Sequence, residues 1–128
     1  MLGQLEGNGK VVISDLEAGV GTLQRMKDEH VDTVLVVVES STKSIEAARR
    51  AAEIGSKVAR VIVVANRIGD DEEFEEIRLA LGDHEYVRVP DDPAIRRADK
   101  DGVAPIDAAL DSPGVKAIGD LAKKLSGG

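Results

Sequence analysis

At 128 residues the chain is long enough for one domain with a single core, which buries about two-thirds of the surface exposed by the unfolded chain. The formal charge of −7, from 24 acidic against 17 basic side chains, repels a phosphate backbone and an anionic bilayer alike, so neither nucleic acid nor membrane is an expected partner. Cysteine is absent, which excludes disulfides, thiolate metal sites and cysteine nucleophiles. Aromatics make up only 2%, so the core must be built from Val, Ile, Leu and Ala, the filling expected between a parallel sheet and its helices.

The longest apolar runs, Val34 to Val38 and Val61 to Ala65, are five residues each, against roughly 20 needed to span a bilayer. Met1-Leu2-Gly3-Gln4 carries no basic secretion signal, and a cytoplasmic location is expected. The chain is read as one α/β domain over residues 1–128, with a leader at 1–9 and a frayed tail at 126–128.

Four segments read as short strands: Lys10 to Asp15, Thr33 to Glu39, Val61 to Ala65 and Glu85 to Val89. The first three are continuous β-branched runs, as expected of strands covered on both faces. Ser41 or Thr42 can cap a helix that presents Ile45, Ala48 and Ala52 on one face and closes at Gly55. The acidic run Asp70 to Glu73 complements the positive end of the next helix, whose inner face is Phe74, Ile77 and Leu81 and whose stop is Gly82. Asp92-Pro93 starts another helix, an acid cap followed by proline where its missing N–H costs nothing. Ser112-Pro113 repeats the device before a stripe of Val115, Ile118, Leu121, Ala122 and Leu125.

The order β(α)βαβαβαα predicts a three-layer fold, a mainly parallel sheet of about four strands flanked by helices. Ligands of such sheets sit beyond the carboxyl ends of the strands, which directs attention to Asp15 to Gly21, Glu39 to Lys43, Asn66 to Asp70 and Pro90 to Asp92. Asp15 with Glu17 and the small residues Ala18, Gly19 and Gly21 suits a loop that holds the water shell of Mg²⁺ and approaches a γ-phosphate; an exposed acid in a flexible turn suits it equally.

Several collinear segments carry a family resemblance. These are Asp15-Leu16-Glu17-Ala18-Gly19-Val20-Gly21-Thr22-Leu23-Gln24-Arg25, Val31 to Glu39, Ser44-Ile45-Glu46-Ala47-Ala48, Val63-Val64-Ala65-Asn66-Arg67 and Val89-Pro90-Asp91-Asp92, followed by Ala98-Asp99 and Gly102. Together they resemble the MinD/ParA-type ATPases of the P-loop superfamily, and most of all the CooC-like nickel-insertion ATPases, over about residues 10 to 110. The resemblance implies a truncated, Rossmann-like P-loop fold with ATP or ADP and Mg²⁺ as cofactors. It places Asp15 near Mg²⁺ through water and makes Glu17, Ala18 and Gly19 a γ-phosphate sensor. It sets Asn66 and Arg67 at the adenine edge and packs Pro90, Asp91 and Asp92 against the base.

Departures from the family restrict these expectations. The family's phosphate loop, Lys-Gly-Gly-x-Gly-Lys-Thr after the first strand, has only Gly7-Asn8-Gly9-Lys10 as a counterpart. That segment has the wrong glycine spacing, Val11 in place of Ser/Thr, and precedes a strand instead of following one. The nickel-handling cysteine pair is missing, Arg67 replaces lysine, and Gly21-Thr22 stands where the family has Glu-His. The expected protein is therefore not an ATPase on its own, with no catalytic residue assigned. It would be an interaction or regulatory module with a protein partner or a second copy of itself. One alternative is half of a split ATPase, completed by a chain carrying the phosphate loop; another is a receiver-like signalling domain, although its third strand ends in Asn66 and not in a phosphorylatable Asp.

Bland readings prevail elsewhere. Asp70 to Glu76 is a solvated helix start, and Asp99-Lys100-Asp101-Gly102 lacks the remaining acids of a calcium loop. His30 and His84 stand alone, and Lys43 is a solvated helix-start lysine more readily than a phosphate ligand.

Overall fold

The computed structural model describes residues 32–126. The expected strand at Lys10 to Asp15, the leader, and the loop residues Asp15, Glu17, Ala18 and Gly19 lie outside them.

In chain order the elements are β1 (Thr33–Val38), α1 (Thr42–Gly55), β2 (Arg60–Ile68), α2 (Asp71–Leu81), β3 (Glu85–Pro90), α3 (Pro93–Lys100), α4 (Pro105–Ala108) and α5 (Pro113–Ser126). The described strands form a parallel sheet in the order β1-β2-β3, with Val34 beside Val61 and Val64 beside Val87. Parallel neighbours need a crossover, and α1 and α2 supply two on one face of the sheet. No helix among the described residues is long and apolar enough to cross a membrane.

Caps set the helix starts. Ser41 accepts from the Ser44 N–H at 3.2 Å and Asp70 from the Glu73 N–H at 2.9 Å, each satisfying a donor the first turn leaves free. The α1/α2 face of the sheet carries the larger core: Val34, Val36, Val38, Val61, Val63 and Ala65 packed by Ala48, Ala52, Ile77 and Leu81. Ile77 is wholly buried, and burial of such a side chain contributes about 1.5–3 kcal/mol. The chain's one Phe and one Tyr, Phe74 and Tyr86, meet edge to face at 6.1 Å on this side.

The opposite face departs from expectation. Ile62, Val64 and Val89 are buried under Leu121 of α5, yet on β1 Leu35 is 38% exposed and Val37 60%. The β1 run that reads as covered on both faces thus alternates in burial, because α5 lies against β3 and the cover ends before β1. The inner face of α5 is also rotated from the expected stripe. Gly114, Ala117, Leu121 and Leu125 pack inward, while Ile118 and Ala122 face solvent. Close approach at Gly114 sets this rotation, since a Cβ there would lie 3.0 Å from Asp92.

Three smaller differences follow from local chemistry. The four-residue helix α4 is an addition to the expected order, started by Pro105. α5 reaches Ser126, the first residue of the expected tail, whose hydroxyl donates to the Ala122 carbonyl at 3.0 Å; residues 127–128 lie outside the described residues. β2 runs three residues past Ala65, so Asn66 and Arg67 lie within the end of the central strand and not in the loop after it.

Candidate functional site: the carboxyl rim of the sheet

Glu39, the end of β2, and Pro90 to Asp92 gather at one edge of the sheet because all three strands point the same way. The central strand reaches this rim through an irregularity. Arg67 adopts φ 57°, a left-handed conformation unusual for a side chain with a Cβ, and the β2–β3 register shifts between Ala65 and Ile68. Beyond the shift Ile68 is again in register with Pro90, and its carbonyl accepts from the Asp91 N–H at 2.9 Å. The kink leaves Asn66 half-buried, and its amide makes no hydrogen bond among the described residues. At the end of the central strand, that amide offers a donor and an acceptor together.

The neighbouring loops are held by their own side chains. Glu73 accepts from the Gly69 N–H at 2.6 Å and from the Ser40 hydroxyl at 2.9 Å, tying the loop after β2 to the loop after β1. Its place in the acidic run is thus structural. The Glu39 N–H donates to Ser44 Oγ at 2.9 Å, and the Glu39 carboxylate lies 3.7 Å from the Arg67 guanidinium. Asp91 is gripped by Arg96 through both oxygens, at 2.7 and 2.8 Å.

Asp92 is the buried acid of the described residues. Oδ2 accepts from the Gly114 N–H and Oδ1 from the Ala94 N–H, both at 2.9 Å, so one carboxylate caps α3 and receives the first turn of α5. The Gly114 N–H, followed by the Ser112 hydroxyl, holds its carboxyl below the usual aspartate range. Sequence reasoning places Asp92 both as a helix cap and as a contact to a base. The cap is the role its side chain fills among the described residues.

Arg67 lies 3.7 Å from the Glu39 carboxylate and Arg96 pairs with Asp91 at 2.7 Å, while Lys43, exposed in the first turn of α1, makes no ion pair among the described residues. An open hollow of about 510 Å³ lies on the flank of α1, lined by Thr42, Lys43, Glu46, Ala47 and Arg50, and its lining includes none of Asn66, Arg67 or Pro90 to Asp92. Among the described residues no group of three or more His, Asp or Glu side chains is placed to hold a metal ion. His84 stacks edge-on against Tyr86 at 6.5 Å, and Asp101 ends α3 with Gly102 at φ 72°, a plain turn. No protein-family model matches the chain, and no curated protein matches it.

Proposed function

We propose that the chain is a truncated MinD/CooC-like domain of about four strands whose rim takes a nucleoside base weakly, and which acts in the cytoplasm as an interaction or regulatory module for a protein partner or a second copy. The observation that carries the reading is Asn66: a half-buried amide with no hydrogen bond among the described residues, at the carboxyl end of the central strand. An adenine edge presents one donor and one acceptor side by side, the complement of that amide. Pro90, in register with Ile68 two residues further along, would supply an apolar surface, and Asp15 to Gly19 would face any phosphates. With no phosphate loop in the sequence, the electrostatic stabilisation that phosphoryl transfer needs is missing, so hydrolysis is not assigned to the isolated chain.

The test is thermal stability of the full chain with adenosine, ADP or Mg²⁺-ATP. A ligand at ten times its Kd adds about 1.4 kcal/mol to stability. Stabilisation at millimolar adenosine that Asn66→Ala abolishes supports the reading. Stabilisation by micromolar Mg²⁺-ATP with phosphate release would replace it with an ATPase, and silence towards all three would remove the base site.

A further inference from the structure

We propose that the surface of residues 99–111, from the end of α3 through α4, docks a basic amphipathic helix of a partner protein. Val103, Ile106 and Leu110 are 43%, 63% and 62% exposed there. Single exposed aliphatics are ordinary on a protein surface, but three of them share the short run Val103 to Leu110, in which Asp107 is the one charged residue. The run is not a loose loop. The Val103 N–H donates to the Ala98 carbonyl at 2.9 Å, the Ala108 N–H to the Ala104 carbonyl at 3.1 Å and the Ala109 N–H to the Pro105 carbonyl at 2.8 Å. α4 packs on α3, and the chain then returns to the start of α3, where the Gly114 N–H meets Asp92. The aliphatic side chains are thus displayed from a backbone already held in place, which spares a partner the entropy of ordering it.

Charge decides the occupant. Asp99, Asp101, Asp107 and Asp111 are all exposed and stand within or beside the apolar run, with Lys100 as the basic residue of the segment. A partner must therefore bring apolar side chains for Val103, Ile106 and Leu110 and cations for the aspartates around them. That is the pattern of a helix whose apolar face is bordered by Lys and Arg. A second copy using the same face would set aspartate against aspartate in a two-fold contact, between chains of charge −7. The proposal rests on the reading of the chain as an interaction module and gives its partner a chemistry; it does not draw on the base site at Asn66.

The probe is a peptide of about 14 residues with leucine and lysine in amphipathic helical order, titrated into the full chain at about 0.15 M salt, where distant charges are largely screened. It should bind, and its counterpart with glutamate for lysine should not. Ile106→Ser with Leu110→Ser should weaken binding about tenfold or more, while Leu79→Ser, at a residue 81% exposed on α2, should leave it unchanged. Asp107→Asn with Asp111→Asn should also weaken it, and Glu72→Gln with Glu76→Gln, the same change of net charge on α2, should not. All these side chains are exposed, so the variants keep the fold. Failure of the lysine peptide to bind would overturn the proposal. Equal losses from the α2 substitutions would also overturn it, by showing attraction to net charge alone. Because the chain has no cysteine, Leu110→Cys and Leu79→Cys report exposure in the full chain through their rates of maleimide labelling. Comparable rates are expected. A far slower Leu110→Cys would show its face covered by the rest of the chain or, if the rate falls with protein concentration, by a second copy, and either result overturns the proposal. None of these readouts involves nucleotide, so they stand or fall separately from the base site.

Discussion

Replacing Gly114 by alanine should destabilise the protein although it adds a better helix former to a helix. The new Cβ would lie 2.6 Å from Ile95 Cδ1 and 3.0 Å from both Cβ and Oδ2 of Asp92. Ile95 can yield, since the atom in conflict is the end of a flexible side chain. Asp92 cannot, because its two oxygens are fixed by the Gly114 and Ala94 N–H groups at 2.9 Å. The first turn of α5 must therefore move off the cap, and Leu121 moves with it from Ile62 and Val64. Overpacking of this kind costs about 1–3 kcal/mol, and the helix preference of alanine returns at most about 1 kcal/mol, so the net loss is about 0.5–2 kcal/mol. Gly119→Ala is the matched control. Nothing lies within 4 Å of its Cβ, and there the same propensity gain should stabilise by up to about 1 kcal/mol. Urea unfolding followed by circular dichroism should move the two midpoints in opposite directions at unchanged slope. A Gly114→Ala midpoint at or above the unsubstituted one would refute the close contact between α5 and Asp92.

At Arg67, φ 57° penalises a β-branched side chain most, so Arg67→Val should lose about 1–2 kcal/mol while Arg67→Gly stays within about 1 kcal/mol of the parent; equal stability of the two would show that the left-handed turn is not required. Glu85 is held by Arg60 and Lys124, whose hydrogen bonds lower its pKa from 4.5 to about 2. A folded pKa below the unfolded one gives stability that is complete above pH 4.5 and lost as pH falls through about 2, so urea midpoints of the parent and of Glu85→Gln should converge across that interval. A difference that stays constant down to pH 2 would assign the Glu85 effect to packing instead.

Much of the frame was legible because the signals were local. The Asp70, Asp92 and Ser112 starts, the Gly82 stop and the β-branched runs of β1 and β2 each act within a few residues, and each lies where its chemistry directs. What was not legible depended on partners distant in sequence. The exposure of Leu35 and Val37 follows from how far α5 reaches across the sheet, which no property of TVLVVV encodes. The rotation of α5 follows from Gly114 meeting an acid 22 residues earlier. The extension of β2 through Asn66 rests on a left-handed arginine, and arginine carries no sequence signal for that conformation as glycine would.

The two adjacent acids after β3 show why sequence position alone overstates a binding site. Asp91 and Asp92 both sit at the rim, but a carboxylate binds a ligand only with lone pairs that are not already in use. Asp92 directs its oxygens inward, to the first turns of α3 and α5, and Asp91 directs both of its oxygens to Arg96. Turning either carboxylate fully to a ligand would cost a cap or a bidentate ion pair, whereas the Asn66 side chain holds no hydrogen bond among the described residues that a ligand would displace. In the proposed base site, recognition at this end of the sheet would therefore fall to Asn66 and to the surface of Pro90, while Asp92 sets the position of the helices beside them.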